Sequence, residues 1–360
     1  MSACRKVLLA AAVLIAGCDS FEQAQISWCG RHPLECDAGS GGGGGGGGGA
    51  GGGVAGGGGG GGGGVTDGGT TDGGGSVSDG GWRTLTGLTT QDLRGVWGSG
   101  PDDVWAVGLN GAILRWDGSS WAAVDGGSPN TSYFGVWGTV GDGGGSRVWA
   151  VGAGPGGSGV IHHWNGSGWI SQATACNTTL YGVWGSGPDD LWAVGASGKI
   201  CHNDGSPSWT LVDSGTTSSN HLRGVWGSAS NDVWAVGETA IAHWDGLGWA
   251  TLADGGPPQG LYGVWGSGPS DVWAVGGAGT VLRYDGAAWA VDGSPGAGLQ
   301  GVWGGAADDV WTVGLGGTLK HWDGSGWGFE PIGSVHLYGV WGSANDVIVV
   351  GQAGTLLRRP

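Results

Sequence analysis

Leu93-Arg-Gly-Val-Trp-Gly-Ser-Gly-Pro-Asp-Asp-Val-Trp-Ala-Val-Gly108 decides the fold, because close copies of it recur down the chain. Its centre, Gly-Val-Trp-Gly, stands around Trp97, Trp137, Trp184, Trp226, Trp265, Trp303 and Trp341, at intervals of 40, 47, 42, 39, 38 and 38 residues. A period near 40 marks an array of supersecondary units, and four short strands per unit is the pattern of a propeller. In the first copy, residues 93–98 alternate as strand a, 103–108 are rich in β-formers as strand b, 112–117 form strand c and 121–124 strand d. Turn residues separate them at 99–102, 109–111 and 118–120. The unit is saturated with glycine and has no 3.6-residue stripe, which argues against helix.

Closure follows from counting strands. The seventh copy ends at Arg359-Pro360 without a strand d, and a spare one, Trp82-Arg-Thr-Leu85, precedes the first copy. The N-terminal strand therefore completes the last blade and removes the edges an open sheet would present. The expected fold is all-β, a seven-bladed propeller of four-stranded blades over residues 81–360. An open β-solenoid is the rival, and the spare strand opposes it.

Of 25 tryptophans, 24 fall into four columns. Strand b supplies Trp105, Trp149, Trp192, Trp234, Trp273 and Trp311; strand c supplies Trp116, Trp164, Trp244 and Trp322; strand d supplies Trp82, Trp121, Trp169, Trp209, Trp249, Trp289 and Trp327. Large side chains at these positions fill the wedge between neighbouring sheets. A basic column precedes the strand c aromatic: Arg115, His163, His202, His243, Arg283, His321 and Arg358. Strand register places Arg115 opposite Trp105 and diagonal to Asp103, so cation–π contact and a cross-strand ion pair account for it. The matching acids are Asp190, Asp232, Asp271, Asp309 and Asp346, with Arg147 breaking the pattern in blade 2. A metal ring is a poor account of the four histidines, because blades splay radially.

The N-terminal part has another character. Arg5 and Lys6 precede ten apolar residues, 7–16, too few to span a bilayer. Residues 1–17 are expected to be a signal peptide. Leu14-Ile-Ala-Gly-Cys18 resembles the lipobox of bacterial lipoproteins, which implies lipidation at Cys18 and a mature chain anchored to a membrane without spanning it. Export favours disulfides, and the expected pairs are Cys29–Cys36 and Cys176–Cys201. Zinc at Cys29, His32 and Cys36 lacks a fourth ligand. Residues 18–36 form a short lipidated N-terminus, and 37–80 read as a disordered linker with two runs of nine glycines. Its 44 residues span about 35–40 Å as a Gly-rich coil.

Formal charge is −16 and becomes −18 without Arg5 and Lys6, leaving Lys199 and Lys320 as the only lysines. Nothing here neutralises a row of phosphates, so nucleic acid is not an expected partner.

The Trp-Asp-Gly-x-x-Trp hairpins at 116–121 and 322–327 resemble the Asp-box or BNR-like repeats of bacterial propellers, and Val-Trp-Gly followed by Asp-Val-Trp is similar to tectonin-type repeats. Such glycine-rich copies are a feature of bacterial lipoprotein propellers. The resemblance covers residues 82–360. It implies a propeller and a structural role for the turn; here Asp117 and Trp121 are four apart, where the Asp-box has five. Sialidases are the enzymes it brings into question, and they imply three arginines, a tyrosine nucleophile and an acidic partner. The propeller has only Glu238 and Glu330 as glutamates, and its arginines mostly occupy repeat positions. No catalytic residue, metal or cofactor is assigned. A glycan-cleaving enzyme, sialidase-like or a polysaccharide lyase or hydrolase, is the alternative function.

The position before each Gly-Val-Trp-Gly is where the copies differ. It holds Arg94, Phe134, Tyr181, Arg223, Tyr262, Gln300 and Tyr338. Strand a is innermost in a propeller, so these side chains are expected to ring one mouth of the central channel, beside the variable d–a loops. Tyrosine and arginine are hot-spot types. The expected function is a monomeric, lipid-anchored binding or scaffold propeller of the cell envelope, at the outer membrane or cell surface or on the periplasmic face of the inner membrane. It would engage an envelope or extracellular protein or glycan through this mouth.

Overall fold

The computed structural model describes residues 81–126, 128–141, 145–216, 219–252, 259–293, 296–343 and 346–360. The signal peptide, Cys18, the Cys29–Cys36 pair and the linker 37–80 lie outside the described residues.

Seven sheets make up the propeller. Blade 1 runs Leu93–Gly100 (a), Asp103–Gly108 (b), Ile113–Trp116 (c) and Trp121–Ala123 (d), antiparallel in that order. Residues 104–108 of strand b are all buried, because its two faces meet two different blades. In the last blade, Leu337–Ser343, Asp346–Gly351 and Leu356–Arg359 are completed by Arg83–Leu85. Arg83 pairs with Arg358, Thr84 with Leu357 and Leu85 with Leu356. The N-terminal strand thus closes the ring.

Blade 3 departs from four strands. Ala173–Thr174 adds a fifth, running parallel to Ser208–Val212 on the outer edge. The preceding connection is held there by a disulfide between Cys176 and Cys201, with Cα atoms 6.1 Å apart. The Ala175 N–H also donates to the Trp209 carbonyl at 3.1 Å. A short exposed edge is thereby covered.

The aromatic columns fill the wedges between blades. Trp105 of blade 1 lies 5.2 Å from Trp164 and 5.5 Å, edge-on, from Trp169 of blade 2. Trp192 meets Trp244 and Trp249 of blade 4 at 5.0 and 5.3 Å, and Trp273 meets Trp322 and Trp327 of blade 6 at 5.6 and 5.5 Å. Trp311 closes the series on Trp82, 5.8 Å away and edge-on. Offset and edge-to-face pairs are the favoured aromatic geometries, and each adds to the area already buried.

Both glycines of the repeated phrase answer to a neighbouring blade. A methyl on the first glycine would press the carbonyl oxygen of the next blade's ring residue: Phe134 O at 3.1 Å from Gly95, Tyr181 O at 2.8 Å from Gly135, Tyr338 O at 2.9 Å from Gly301. A methyl on the second would strike the tip of the previous blade's Trp: Trp341 at 2.6 Å from Gly98, Trp97 at 2.7 Å from Gly138, Trp226 at 2.6 Å from Gly266. The phrase is conformationally ordinary, since none of these glycines needs a positive φ. Its glycines are there for close approach.

The basic column forms the pairs expected of it. Arg115 Nε donates to Asp103 Oδ1 at 2.9 Å, Arg283 to Asp271 at 2.7 Å and Arg358 to Asp346 at 3.0 Å. His202, His243 and His321 bond Asp190, Asp232 and Asp309 at 2.6–2.7 Å. Arg283 lies 4.5 Å over Trp273, and His321 stacks on Trp311 at 4.0 Å. These three histidines are engaged by their own blades' aspartates, as radial splay requires, whereas His163 Nε2 in blade 2 has no hydrogen-bond partner among the described residues, because Arg147 replaces the acid. Ser186 donates to the other oxygen of Asp190 at 2.5 Å. In that Ser–Asp–His order the acid lies between serine and histidine, so the histidine cannot deprotonate the serine.

The c–d turns are capped by a side-chain oxygen. Asp117 Oδ1 accepts from the Ser119 and Ser120 N–H groups at 2.9 and 2.8 Å, and Asn165 does the same in blade 2. The Ser119 hydroxyl and those amides hold the Asp117 carboxyl down at about 2, and Asp323 is held there by Ser325 in the same way.

Candidate functional site

Strand a begins at the axis, one residue before the ring position. Leu93 there is fully buried and packs against the neighbouring blade, which turns the next side chain, Arg94, toward the channel. Repetition does the same in each blade. Arg94, Phe134, Tyr181, Arg223, Tyr262, Gln300 and Tyr338 together line one cavity of about 360 Å3 at the axis. Beneath it, the glycines and valines of the repeated phrase line a narrower throat of about 200 Å3. All seven positions read from the sequence are brought to one place.

Side chains around the mouth are paired across blades. The Arg94 guanidinium lies 3.8 Å over the Tyr338 ring, and Arg223 lies 4.2 Å over Tyr181. Phe134 packs on Tyr181 at 5.5 Å. Each arginine also has a carboxylate: an Arg94 terminal nitrogen donates to Asp92 at 3.0 Å, and one from Arg223 donates to Glu238 at 2.7 Å. The two arginine side chains remain 29% and 30% exposed. Asp92 further accepts the Ala353 N–H at 2.9 Å, tying blade 7's b–c turn to the loop that carries Arg94.

Asp92 and Glu238 are site residues that sequence reasoning missed. A signal existed for Glu238. Six blades have a 3-10 turn between strands b and c, such as Leu109–Gly111 followed by Ala112; in blade 4 only residues 238–240 join Gly237 to Ile241, without that turn. Glu238 stands in that altered turn.

Blade 2 carries a second departure, away from the mouth. Tyr133 occupies a column that is leucine in the other six blades, and His162 one that is leucine in blades 1, 5 and 7. The fully buried Tyr133 hydroxyl lies 2.5 Å from His162 Nδ1. Burial pushes the Tyr133 phenol up to about 12 and His162 below its ordinary 6.5. The neutral ring accepts from the hydroxyl, so the pair holds only while His162 is unprotonated. His163 beside it is also lowered, by burial and then by Arg147, which stands where the other blades have an acid.

His162→Leu should strand the buried hydroxyl and cost about 1–3 kcal/mol, whereas Tyr133→Phe/His162→Leu removes both partners and should cost less. Folded-state values below 6.5 mean that the unfolded chain takes up the proton first. Stability should therefore be full above pH 6.5 and fall as the pH drops through the lowered values, with a shallower slope in the double variant. Urea titrations between pH 8 and 5 check both; an unchanged slope, or a double variant weaker than His162→Leu, would refute the account.

The fold and mouth define a seven-bladed β-propeller with a non-repeating axial face. In fold the chain is similar to YCF48 from Cyanidioschyzon merolae, at 18% identity and a TM-score of 0.61, over 77% of this chain and 98% of that one. A structure of YCF48 bound to D1 peptide aligns at 16% identity and a TM-score of 0.62, over 79% and 98%. Virginiamycin B lyase from Staphylococcus aureus aligns at 13% identity and a TM-score of 0.65, over 77% and 98%. No protein-family model and no curated protein sequence matches the chain.

Proposed function

We propose that the chain is a protein-binding scaffold propeller whose ligand enters the axial mouth. The convergence on one cavity of seven equivalent positions filled by four residue types, in a chain that repeats almost everything else, carries this reading. Symmetry within the repeat serves packing, and the mouth is where symmetry is given up. A polypeptide is favoured over a glycan by the state of the tyrosines. Sugars stack on open aromatic faces, and those of Tyr338 and Tyr181 are covered by Arg94 and Arg223. One of the solved propellers of similar fold is a complex with a peptide.

The lipobox-like Leu14–Cys18 segment and the glycine-rich 37–80 support a lipid-anchored monomer in the bacterial cell envelope, of Asp-box or tectonin-like kind. Strand d runs away from the c–d turns toward the d–a loops, so the chain enters at Trp82 on the face opposite the mouth.

Peptide display against the purified full chain tests this. Selected peptides should lose at least tenfold in affinity to Tyr181→Ala/Tyr262→Ala/Tyr338→Ala, with the melting temperature of each single variant near the parent's. Peptides that bind the triple variant equally well would sink the mouth as the binding site. Turnover of a polysaccharide or sialoside panel, abolished by a single substitution, would favour the glycan-cleaving alternative.

A further inference from the structure

Resting on the mouth as the binding site, we infer that its ligand is an acidic polypeptide segment whose carboxylates are taken by Arg94 and Arg223. The two arginines are built alike from unlike parts. Each lies over the tyrosine ring of the preceding blade, at 3.8 and 4.2 Å, and each has one terminal nitrogen held by a carboxylate. The carboxylates come from different elements: Asp92 from the segment leading into strand a of blade 1, Glu238 from the altered turn of blade 4. Copying of the repeat does not account for the two carboxylates, because Asp92 and Glu238 stand at non-equivalent positions of their blades.

A second observation points to a ligand. The Nε–H of Arg94 and the Nε–H of Arg223 are shielded from water and have no acceptor. Tryptophan Nε1 atoms elsewhere in the propeller are shielded and unmet in the same way, so what sets these two apart is their place at one cavity, where an arriving acceptor would satisfy them. Nη2 of each arginine is held by Asp92 or Glu238, while Nη1 has no partner among the described residues and is the nitrogen of each planar guanidinium that a ligand carboxylate can take. Stacking on tyrosine and the fixed terminal nitrogen preset the guanidinium planes, so little freedom is lost on binding.

The rest of the cavity fits the same ligand. None of the seven ring residues is acidic. Blades 2 and 3 separate the arginines on one side and blades 5, 6 and 7 on the other, so they face each other across the mouth. A ligand must therefore present carboxylates on two sides, and a cavity of about 360 Å3 admits an extended chain but not a folded domain. Tyr262 and Gln300 offer neutral hydrogen bonds on the remaining arc.

The test uses the full chain and a fluorescent ten-residue peptide alternating glutamate and glycine, with its glutamine counterpart as the uncharged control. The glutamate probe should bind at least tenfold more tightly than the glutamine probe. Arg94→Gln and Arg223→Gln should each weaken it about ten- to hundredfold, and Arg94→Lys should not restore it. Equal binding of the two probes, a comparison that needs no variant to fold, would overturn the inference. So would Arg→Gln variants of unchanged affinity, or an acidic oligosaccharide that binds through both arginines where the glutamate probe does not. If displayed peptides depend on Tyr262 and Tyr338 but ignore both arginines, this inference fails while the mouth stands as the site. If no peptide responds to any ring residue, the mouth reading itself fails.

Discussion

Trp82→Ala should destabilise the propeller by about 3–5 kcal/mol, the range for truncating a large buried aromatic. Trp82 is 1% exposed and sits in a cluster with Trp311, Val313, Leu319, Leu337, Val340, Val349 and Leu357. These residues belong to blades 6 and 7, so the side chain holds the N-terminal strand to the C-terminal blade and packs that blade on its neighbour. Trp121 holds the same column in blade 1, where it is only partly buried and its strand is tied covalently to its own hairpin. Trp121→Ala should therefore cost less than Trp82→Ala. Removing Arg83–Leu85 altogether should bare the edge of Leu356–Arg359 and make the chain associate in a concentration-dependent way. Chemical denaturation measures the first effect and sedimentation velocity the second. A Trp82→Ala protein as stable as Trp121→Ala would mean that closure is not held at this strand.

Gly266→Ala is expected to carry the other large effect. The new methyl would lie 2.6 Å from the Trp226 ring tip and 2.7 Å from the Asp271 carbonyl oxygen. Neither can yield easily: the carbonyl is backbone, and Trp226 is paired across its strands with Trp234, which is itself buried at the next interface. Overpacking of this kind costs about 1–3 kcal/mol, and contact with backbone places it toward the upper end. Gly268→Ala is the control. It lies two residues along the same strand, where an added methyl meets nothing within 4 Å, and should change stability by less than about 0.5 kcal/mol. Equal effects at the two positions would show that strand propensity, not inter-blade approach, is what the glycines serve.

These two predictions differ in how readily they could be read beforehand. The role of Trp82 was legible, because a spare strand d at one end and a missing one at the other is a matter of counting. The ion-pair column was legible for a related reason: Asp103 and Arg115 belong to one hairpin, and strand register alone makes them neighbours. Gly266 was not legible. Its constraint comes from a tryptophan 40 residues upstream in another blade, and the reach of that ring depends on the angle between blades. The fifth strand of blade 3 was hidden for a different reason, since two residues of ordinary composition pair there only because a disulfide holds their loop.

By itself the sequence determined the period, the number of blades, the closing strand and the seven positions that surround the axis. All of these follow from periodicity: a repeated segment adopts a repeated structure, and what breaks the repeat is visible as a difference between copies. Tertiary structure alone decided what the ring residues do to one another. Arg94 lies on Tyr338, 244 positions away in sequence, and Glu238 turns back to Arg223 from an altered turn. Such contacts depend on how the first and last blades meet and on the rotamers chosen at the meeting, and no spacing within a repeat encodes either. The two unmet Nε–H groups became visible only once every neighbour around the mouth was in place.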